Sequence, residues 1–329
     1  MNPLARALAE RIRADGPISV EAFMEACNAH YYATRDPLGA AGDFTTAPEI
    51  SQMYGEMIGA ALVDCWHRAG RPEGVRYAEL GPGRGTLAAD ALRTMAAAGF
   101  EPTMVELVET SPRLRAEQAR RLPHAIFHDA IESLATGDGP LLLVASEFFD
   151  ALPVRHTVEG VERRVVLNGG GLAFDRDGAI VETSPARDQA ARDIATVLAD
   201  KGGAALVVDY GHDRRDAVGD TLQAVRGHRF AAPLDHPGEQ DLTAHVDFAA
   251  LAEAARAGGA RVSGPVSQGN WLETLGIAAR ASALAAKNPA EAESVAGARR
   301  RLCDDEEMGR LFKVMALTGA DWPMIAGLE

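Results

Sequence analysis

The chain has 329 residues, of which 47% are hydrophobic and 24% charged, as in soluble globular proteins of one large domain or two modest domains. Its formal net charge of −14 disfavours binding to nucleic acid and would attract a basic substrate, such as an arginine-bearing protein segment. The three cysteines form no Cys-x-x-Cys pair, so neither a disulfide scaffold nor a zinc site is expected. No apolar run reaches the roughly 18–20 residues that would cross a membrane.

The N-terminal residues show no recognisable targeting signal. They lack an apolar core, and the acidic residues Glu10 and Asp15 interrupt the basic residues Arg6, Arg11 and Arg13. Secretory signals need an apolar core and transit peptides are poor in acidic residues, so we expect neither. We therefore predict a cytoplasmic protein of bacterial type.

Residues 1–74 are predicted to form a helical extension. Apolar residues recur at helical spacing over residues 4–12, and Ser19 can cap the start of a second helix. A polar, glycine-bearing loop (39–48) precedes a third predicted helix at about 50–69.

From residue 75 the pattern changes to short apolar runs separated by helix-length segments. This alternation predicts a parallel sheet covered on both faces, which binds ligands beyond the carboxyl ends of its strands. Residues 75–153 would form the cofactor-binding part of this sheet. The predicted strands are 75–80, 103–109, 124–128, 140–146 and 204–209.

Two segments interrupt the alternation of strands and helices. Residues 154–200 contain short apolar runs separated by glycines and then a helical pattern, which predicts a β-rich insertion followed by a helix. Residues 213–245 form a long polar segment, which is either a substrate loop or disordered. The remainder of residues 201–329 would complete the sheet and add C-terminal helices, near 271–287 and 289–303.

The glycine-rich sequence Glu79-Leu80-Gly81-Pro82-Gly83-Arg84-Gly85 follows the first predicted strand and precedes a helix. Such a turn exposes backbone to a ligand at a helix N-terminus. Thr86 stands where the dinucleotide pattern has its last glycine, so the turn looks more like motif I of the class I S-adenosylmethionine (SAM) methyltransferases than a nicotinamide site.

Glu109 lies at the end of the second predicted strand, 24 residues after Gly85. An acidic side chain at this place can accept hydrogen bonds from both ribose hydroxyls of a nucleoside cofactor. The predicted cofactor-binding residues are therefore Glu79, Gly81, Gly83, Gly85 and Glu109.

Five further stretches resemble one known family. They are Gly42 to Gln52, Ser146 to Pro153, Val208 to His212, Pro237 to Phe248 and Leu311 to Met315. With the glycine turn they resemble the MidA-like family of SAM-dependent methyltransferases over nearly the whole chain. The resemblance implies a class I methyltransferase fold, which is α/β with a Rossmann-like seven-stranded sheet, and SAM as the cofactor. Eukaryotic members symmetrically dimethylate an arginine of a respiratory complex I subunit during its assembly, so a protein presenting an arginine is the implied substrate.

The sequence after the fourth predicted strand supplies candidate groups for binding an arginine. Glu147 and Asp150 flank two phenylalanines, and two carboxylates at a cofactor cleft are costly to hold together without a cation. A planar guanidinium suits such a pair. Ser146-Glu147 also resembles the Ser-Glu of protein arginine methyltransferases, whose glutamate clamps the substrate. We predict Glu147 and Asp150 as catalytic residues, against the alternatives of a helix N-terminal acid and a helix cap.

Further residues complete the predicted site. Asp129, after the third strand, would bind the adenine amino group or be an ordinary loop residue. Thr46 would belong to a lid over the cofactor or to the start of a helix. No metal-ligand spacing is present, so no metal is predicted. The predicted substrate contacts are Phe148, Tyr210 and Asp241.

Rival functions stay open at this point. A methyltransferase for a small molecule and a SAM-binding assembly factor without catalysis fit the same motifs, whereas Thr86 disfavours a nicotinamide-dependent dehydrogenase. The sequence leaves the oligomeric state undetermined, with a homodimer as one candidate.

Overall fold

The computed structural model describes residues 2–35, 43, 45–214 and 219–328. Parts of the predicted 39–48 loop and of the 213–245 segment therefore lie outside the described residues, including Gly42 and Phe44 of the family motif. The chain divides into two compact units. The core unit comprises Thr46–Phe148, Ala190–Asp213 and Asp247–Glu329, and the accessory unit comprises Met1–Thr45, Phe149–Gln189 and Arg214–Val246.

The elements are numbered in chain order. The helices are α1 (Pro3–Asp15), α2 (Val20–Thr34), α3 (Ala47–Ile50), α4 (Gln52–Arg68), α5 (Thr86–Ala97), α6 (Pro112–Arg121), α7 (Pro185–Lys201), α8 (Phe248–Ala257), α9 (Gln268–Thr274), α10 (Ile277–Lys287), α11 (Ala292–Cys303) and α12 (Met308–Leu311), with 3-10 helices at Ile131–Thr136 and Pro289–Glu291. The strands are β1 (Ile18–Ser19), β2 (Arg76–Leu80), β3 (Val105–Val108), β4 (Ile126–His128), β5 (Leu141–Ser146), β6 (Arg155–Val158), β7 (Val161–Glu162), β8 (Arg164–Asn168), β9 (Gly171–Phe174), β10 (Ile180–Thr183), β11 (Gly203–His212), β12 (Gln223–Arg226), β13 (Arg229–Ala231), β14 (Asp241–Thr243), β15 (Val246–Asp247), β16 (Arg261–Ser267) and β17 (Phe312–Thr318).

The sheet of the core unit runs in the order β16-β17-β11-β5-β2-β3-β4. The strands from β4 to β11 are parallel, and β17 is antiparallel to both of its neighbours. All residues of β2 and β5 are buried, which explains the continuous apolar run of β5 from Leu141 to Ala145. The chain proceeds outward from β2 to β4 and then returns to β5, so the strand order reverses beside β2. A ligand is expected at that reversal, beyond the carboxyl ends of the strands.

This architecture confirms the predicted α/β fold and corrects one predicted helix. The segment 271–287 was expected to be one helix, but the structure breaks it between α9 and α10. Gly276 lies at the break with φ 92°, a left-handed conformation that other residues rarely adopt.

Helices α4 and α5 pack closely on one face of the core. Met53, Ile58 and Leu62 of α4 are fully buried, as are Ala91 and Met95 of α5. A glycine makes the approach possible, because a Cβ atom at Gly59 would lie 2.6 Å from the carbonyl oxygen of Ala91.

We expect Gly59→Ala to destabilise the protein by about 1–3 kcal/mol, because the new methyl group overpacks the contact between α4 and α5. Gly297→Ala in α11 is the matched control. The nearest atom to its new Cβ would be Nη2 of Arg300, at an ordinary contact distance of 3.7 Å. That control should stabilise by roughly 0.5–1 kcal/mol. Urea unfolding of both variants measures the difference, and equal stabilities would contradict the packing assignment.

The accessory unit is built around three small antiparallel sheets. Their strand orders are β1-β8-β9, β10-β6-β7 and β13-β12-β14. The apolar core of this unit includes Phe23 and Met24 of α2, Val165 of β8 and Leu242 of β14. Thus residues 154–183 are β-rich, and the polar segment 213–245 contains strands in its described part.

Candidate functional site

The glycine turn after β2 has a backbone that only glycine adopts readily. Gly81, Gly83 and Gly85 have φ values of 58°, 53° and 73°, all in the left-handed region. A Cβ at Gly81 would also lie 3.2 Å from the Phe148 ring. Gly85 is the residue before α5, so the turn presents bare backbone at a helix N-terminus. Such a turn fits the close approach of a nucleoside ligand.

Glu79 connects the end of β2 to the helix that follows the turn. Its Oε2 accepts a 3.0 Å hydrogen bond from the Tyr77 hydroxyl, and its carboxylate also accepts from the backbone N–H of Ala88 in α5. Burial raises the pKa of Glu79 to about 8. These contacts show Glu79 supporting the turn, and its contact with a cofactor stays a prediction.

Glu109 follows β3 and is buried. Its Oε1 accepts from the backbone N–H of Ser111 at 2.8 Å, and its Oε2 accepts from the Gln118 amide at 3.3 Å. Burial raises the pKa of this carboxyl, while the two donors lower it. The Gln118 amide also donates to the Gly83 carbonyl at 2.6 Å, so the carboxylate and the glycine turn lie side by side. The residues present therefore fit a nucleoside cofactor.

Asp129 lies immediately after β4 and is largely exposed. Its side chain is 87% exposed and accepts a 2.8 Å hydrogen bond from Arg115. Arg115 also donates to the backbone carbonyl of Glu109 at 2.5 Å. Asp129 is thus linked to the Glu109 segment, and its contact with adenine stays a prediction.

Helix α3 begins directly after Thr46 and lies beside the glycine turn. The Thr46 side chain makes no capping bond, and the Ala47 N–H donates to Glu147 Oε1 at 2.8 Å instead. At the other side of α3, Glu49 Oε1 accepts from the Thr86 hydroxyl at 2.5 Å. The helix-start interpretation of Thr46 therefore agrees with the structure, and a cofactor contact by Thr46 stays a prediction.

Glu147 has an unusual backbone conformation. Its φ is 52°, which is uncommon outside glycine, and its N–H donates to the Val208 carbonyl of β11 at 2.9 Å. Such backbone strain clusters at functional sites. The residue before it, Ser146, shares a 2.9 Å hydrogen bond with the buried Tyr54 hydroxyl. Sequence reasoning missed Tyr54, because a tyrosine in an amphipathic helix has the pattern of an ordinary core residue.

As alternatives to a catalytic role, Glu147 could be an acid at a helix N-terminus and Asp150 a helix cap. Both alternatives require a helix directly after β5. No helix starts there, since the chain turns at Phe149–Leu152 and continues as an extended segment. Glu147 instead accepts a hydrogen bond from the first N–H of α3, which is part of the core unit but distant in sequence. Glu147 and Asp150, predicted as a pair, belong to different units.

In the accessory unit, Asp150 has a different carboxylate as its neighbour. Asp150 and Asp241 are only 6% and 4% exposed, and Asp241 Oδ1 accepts from the Tyr32 hydroxyl at 2.7 Å. Burial and then the charge of Asp150 raise the pKa of Asp241 to about 7. The fold thus joins two predicted site residues that are far apart in sequence.

Two buried side chains hold the backbone around these carboxylates. Arg187 donates to four carbonyl oxygens, those of Phe149 at 2.7 Å, Asp150 at 3.0 Å, Ala244 at 2.8 Å and His245 at 2.7 Å. Asn28 donates to the Ala151 and Leu242 carbonyls at 2.9 and 2.8 Å. The segments that carry Asp150 and Asp241 are therefore fastened together. The sequence analysis singled out neither residue. For Arg187 the reason is that an arginine in a polar helix of an arginine-rich chain gives no distinguishing signal.

The remaining predicted substrate contacts are aromatic and lie in the core unit. The Tyr210 ring, at the end of β11, packs edge-on against Phe312 with ring centroids 5.3 Å apart. Phe148 packs against Gly81 of the glycine turn. Their contact with a substrate stays a prediction.

In the part of the chain that the structure describes, one group of side chains has the composition of a metal site, namely His156, Glu182 and Asp220. His156 Nε2 lies 2.9 Å from Glu182, whereas the Asp220 carboxylate lies 4.0 Å from the other ring nitrogen. Asp220 also pairs with Arg163 at 2.9 Å. Because the carboxylates face opposite ring nitrogens, they do not converge on one ion. We interpret this group as an ion-pair network.

Comparison with known proteins agrees with the geometry around the glycine turn. A family model described as a putative S-adenosyl-L-methionine-dependent methyltransferase matches residues 57–168 and 162–266. The chain belongs to this family. Among solved structures, a likely methyltransferase from Burkholderia thailandensis bound to S-adenosyl-homocysteine has a TM-score of 0.84 and 28% identity, covering 96% of this chain and 91% of that chain.

Curated relatives are similar over nearly the whole chain. The mitochondrial protein arginine methyltransferase NDUFAF7 of Danio rerio is 33% identical, covering 94% of this chain and 85% of the relative. The human protein of the same name is 31% identical, covering 96% of this chain and 83% of the relative. The predicted MidA-like family, class I fold, methyltransferase activity and SAM cofactor are thereby confirmed.

The prediction of a cytoplasmic location is wrong by the same comparison, because these relatives are named as mitochondrial proteins. It rested on the absence of an apolar core and on mixed charges in the first residues, and those features do not determine the compartment. Within the described residues, no helix is both long and apolar enough to cross a membrane.

We expect Glu109→Gln to weaken binding of S-adenosyl-homocysteine roughly tenfold to a hundredfold, because hydrogen bonds to a charged acceptor contribute about 1.5–3 kcal/mol. The variant keeps the shape of the side chain. Calorimetric titration measures the dissociation constant, with the exposed Glu101→Gln as control. An unchanged constant would remove Glu109 from the cofactor site.

Asp241 should make stability depend on pH. Its pKa is about 7 in the folded protein and higher than in the unfolded chain, so the folded state binds the proton more tightly. The stabilising contribution of this proton is fully present below about pH 4 and is lost as the pH rises through about 7.

Asp241→Asn removes this titration and keeps an acceptor for Tyr32. The free energy of unfolding of the variant, relative to the natural protein, should therefore increase between pH 5 and pH 8. Urea unfolding at several pH values measures it, and the exposed Asp235→Asn serves as control. A difference that stays constant with pH would show that Asp241 is ionised throughout.

Proposed function

We propose that this methyltransferase transfers the methyl group of SAM to a guanidinium nitrogen of an arginine in a protein substrate. The observation that carries the proposal is the similarity, over 94–96% of the chain, to relatives named protein arginine methyltransferases. The net charge of −14 supports it, because an acidic protein attracts a basic protein segment. A respiratory complex I subunit is the target that the family resemblance implies.

The buried carboxylates of the accessory unit support an arginine as the ligand. Burial, and after it the charge of Asp150, raises the pKa of Asp241, so the two carboxylates destabilise one another when both are ionised. A guanidinium would relieve this repulsion, because it is planar, remains charged and offers a fork of N–H donors to carboxylates. A neutral metabolite would leave the repulsion in place.

In the core unit, Glu147 is the carboxylate that we assign to the guanidinium. When bound, SAM supplies an electrophilic methyl group on a positively charged sulfur. The carbon–sulfur bond breaks as the nitrogen–carbon bond forms, and the guanidinium loses one proton to water. A carboxylate that accepts hydrogen bonds from the other guanidinium nitrogens draws positive charge away from the attacking nitrogen. Positioning of the partners can supply about 7–11 kcal/mol, so general acid–base groups are of secondary importance.

The test incubates purified protein and labelled SAM with a lysate from cells that lack this protein, and then locates the labelled residue by mass spectrometry. We expect the label on arginine. Glu147→Gln should lower turnover at least about a hundredfold, in line with the loss of a transition-state electrostatic contact, while the affinity for S-adenosyl-homocysteine changes less than threefold. The amide oxygen can still accept from Ala47, so the fold is preserved.

Glu101→Gln, which changes an exposed acid of the core unit, is the matched control and should retain full turnover. Label on lysine, nucleic acid or a metabolite would overturn the arginine assignment. A partner that binds without ever acquiring label would favour the assembly-factor alternative.

A further inference from the structure

Gln118 is a fully buried residue of α6 that lies between the two halves of the cofactor site. Its Nε2 donates to the Gly83 carbonyl at 2.6 Å and to Glu109 Oε2 at 3.3 Å. One side-chain amide thus connects the glycine turn to the carboxylate after β3. Nothing in the sequence pattern distinguishes this glutamine from the other polar residues of α6.

The helix that carries Gln118 is fixed to the same two segments. A Cβ at Gly85 would lie 3.5 Å from the Gln118 side chain, so α6 packs directly on the turn. The Ser111 N–H, just before α6, donates to Glu109 Oε1 at 2.8 Å. Contacts of α6 with the glycine turn and with the Glu109 segment therefore determine the position of the Gln118 amide.

The same side chain carries an unfavourable feature. Gln118 Oε1 is buried and has no hydrogen-bond partner among the residues that the structure describes. Rotating the amide would place this oxygen against two acceptors, the Gly83 carbonyl and the Glu109 carboxylate, so the network fixes its orientation. A buried polar atom without a partner destabilises a fold, and such an atom in a native protein calls for an explanation.

We propose that Gln118 is a positioning residue of the cofactor site, which holds the Glu109 carboxylate and the Gly83 backbone at the separation that a bound nucleoside requires. It acts through Glu109 and the turn, and contact with the cofactor is not part of its role. The unpartnered oxygen is then a loss of stability that accompanies the binding function. This inference rests on SAM binding and is independent of the arginine assignment.

The experiment uses Gln118→Met, which has a similar volume and no polar atoms in need of partners. We expect the dissociation constant of S-adenosyl-homocysteine to rise about tenfold, as for one lost hydrogen bond to a charged group. The thermal midpoint of the protein without ligand should change little, because removal of the unpartnered oxygen offsets the loss of the two hydrogen bonds that Gln118 donates. Calorimetric titration and thermal unfolding measure the two quantities.

Gln268→Met is the matched control. Gln268 is also fully buried in the core unit, donates a single hydrogen bond to the Leu302 carbonyl at 2.9 Å and has an unpartnered Oε1. Gln268 lies on α9, which neither borders the glycine turn in sequence nor carries a residue of the proposed cofactor site. Its substitution should therefore leave the dissociation constant of S-adenosyl-homocysteine within twofold of that of the natural protein.

Gln118→Glu supplies a readout that a purely structural role would not change. The charge of Arg115 on α6 lowers the pKa of Glu109, while Arg84 of the turn lies 3.6 Å from Glu117. At pH 8 the new carboxylate would repel Glu109 and lose both donated hydrogen bonds, so binding should be weaker than in Gln118→Met. At pH 6 its protonated form can donate again, and affinity should recover.

The proposal is overturned if Gln118→Met binds S-adenosyl-homocysteine within twofold of the natural protein. It is also overturned if Gln268→Met weakens binding equally. If Gln118→Met does not fold, the pH profile of Gln118→Glu decides, and an affinity that fails to recover on acidification contradicts the proposal.

Discussion

The cofactor site that we propose depends on one physical constraint, the close approach of a bare backbone turn to a buried carboxylate. The three left-handed glycines remove the side chains that would fill the space at the start of α5. Glu109 keeps its carboxylate beside that space through donors that offset the cost of burial. Neither feature alone would specify a nucleoside, since glycine turns and buried acids are common. We propose that their combination at the reversal of the strand order specifies the nucleoside.

A second set of buried acids gives the accessory unit its chemical character. Asp150 and Asp241 are kept together in a buried place, where burial and then the charge of Asp150 raise the pKa of Asp241. Arg187 and Asn28 use backbone carbonyls to hold the two segments. A fold that fastens two carboxylates in this way is suited to a cation, and we propose that the cation is the arginine side chain of the substrate.

The sequence predicted the features that depend on local pattern. The alternation of apolar runs and helical segments located five strands of the sheet to within three residues at each end, and the spacing of Glu109 from the glycine turn placed it at the end of β3. The residues that support the site were not predictable, because their role comes from tertiary contacts. Gln118 and Tyr54 occupy helix positions that look like ordinary amphipathic positions, and the meeting of Asp150 with Asp241 depends on how strands distant in sequence are arranged.

The most direct measurement is a crystal structure of the protein with S-adenosyl-homocysteine bound. We predict that both ribose hydroxyls lie within about 3 Å of the Glu109 carboxylate and that the ligand lies against the backbone of Gly81 to Gly85. A ligand bound elsewhere, or a ribose that does not contact Glu109, would contradict it.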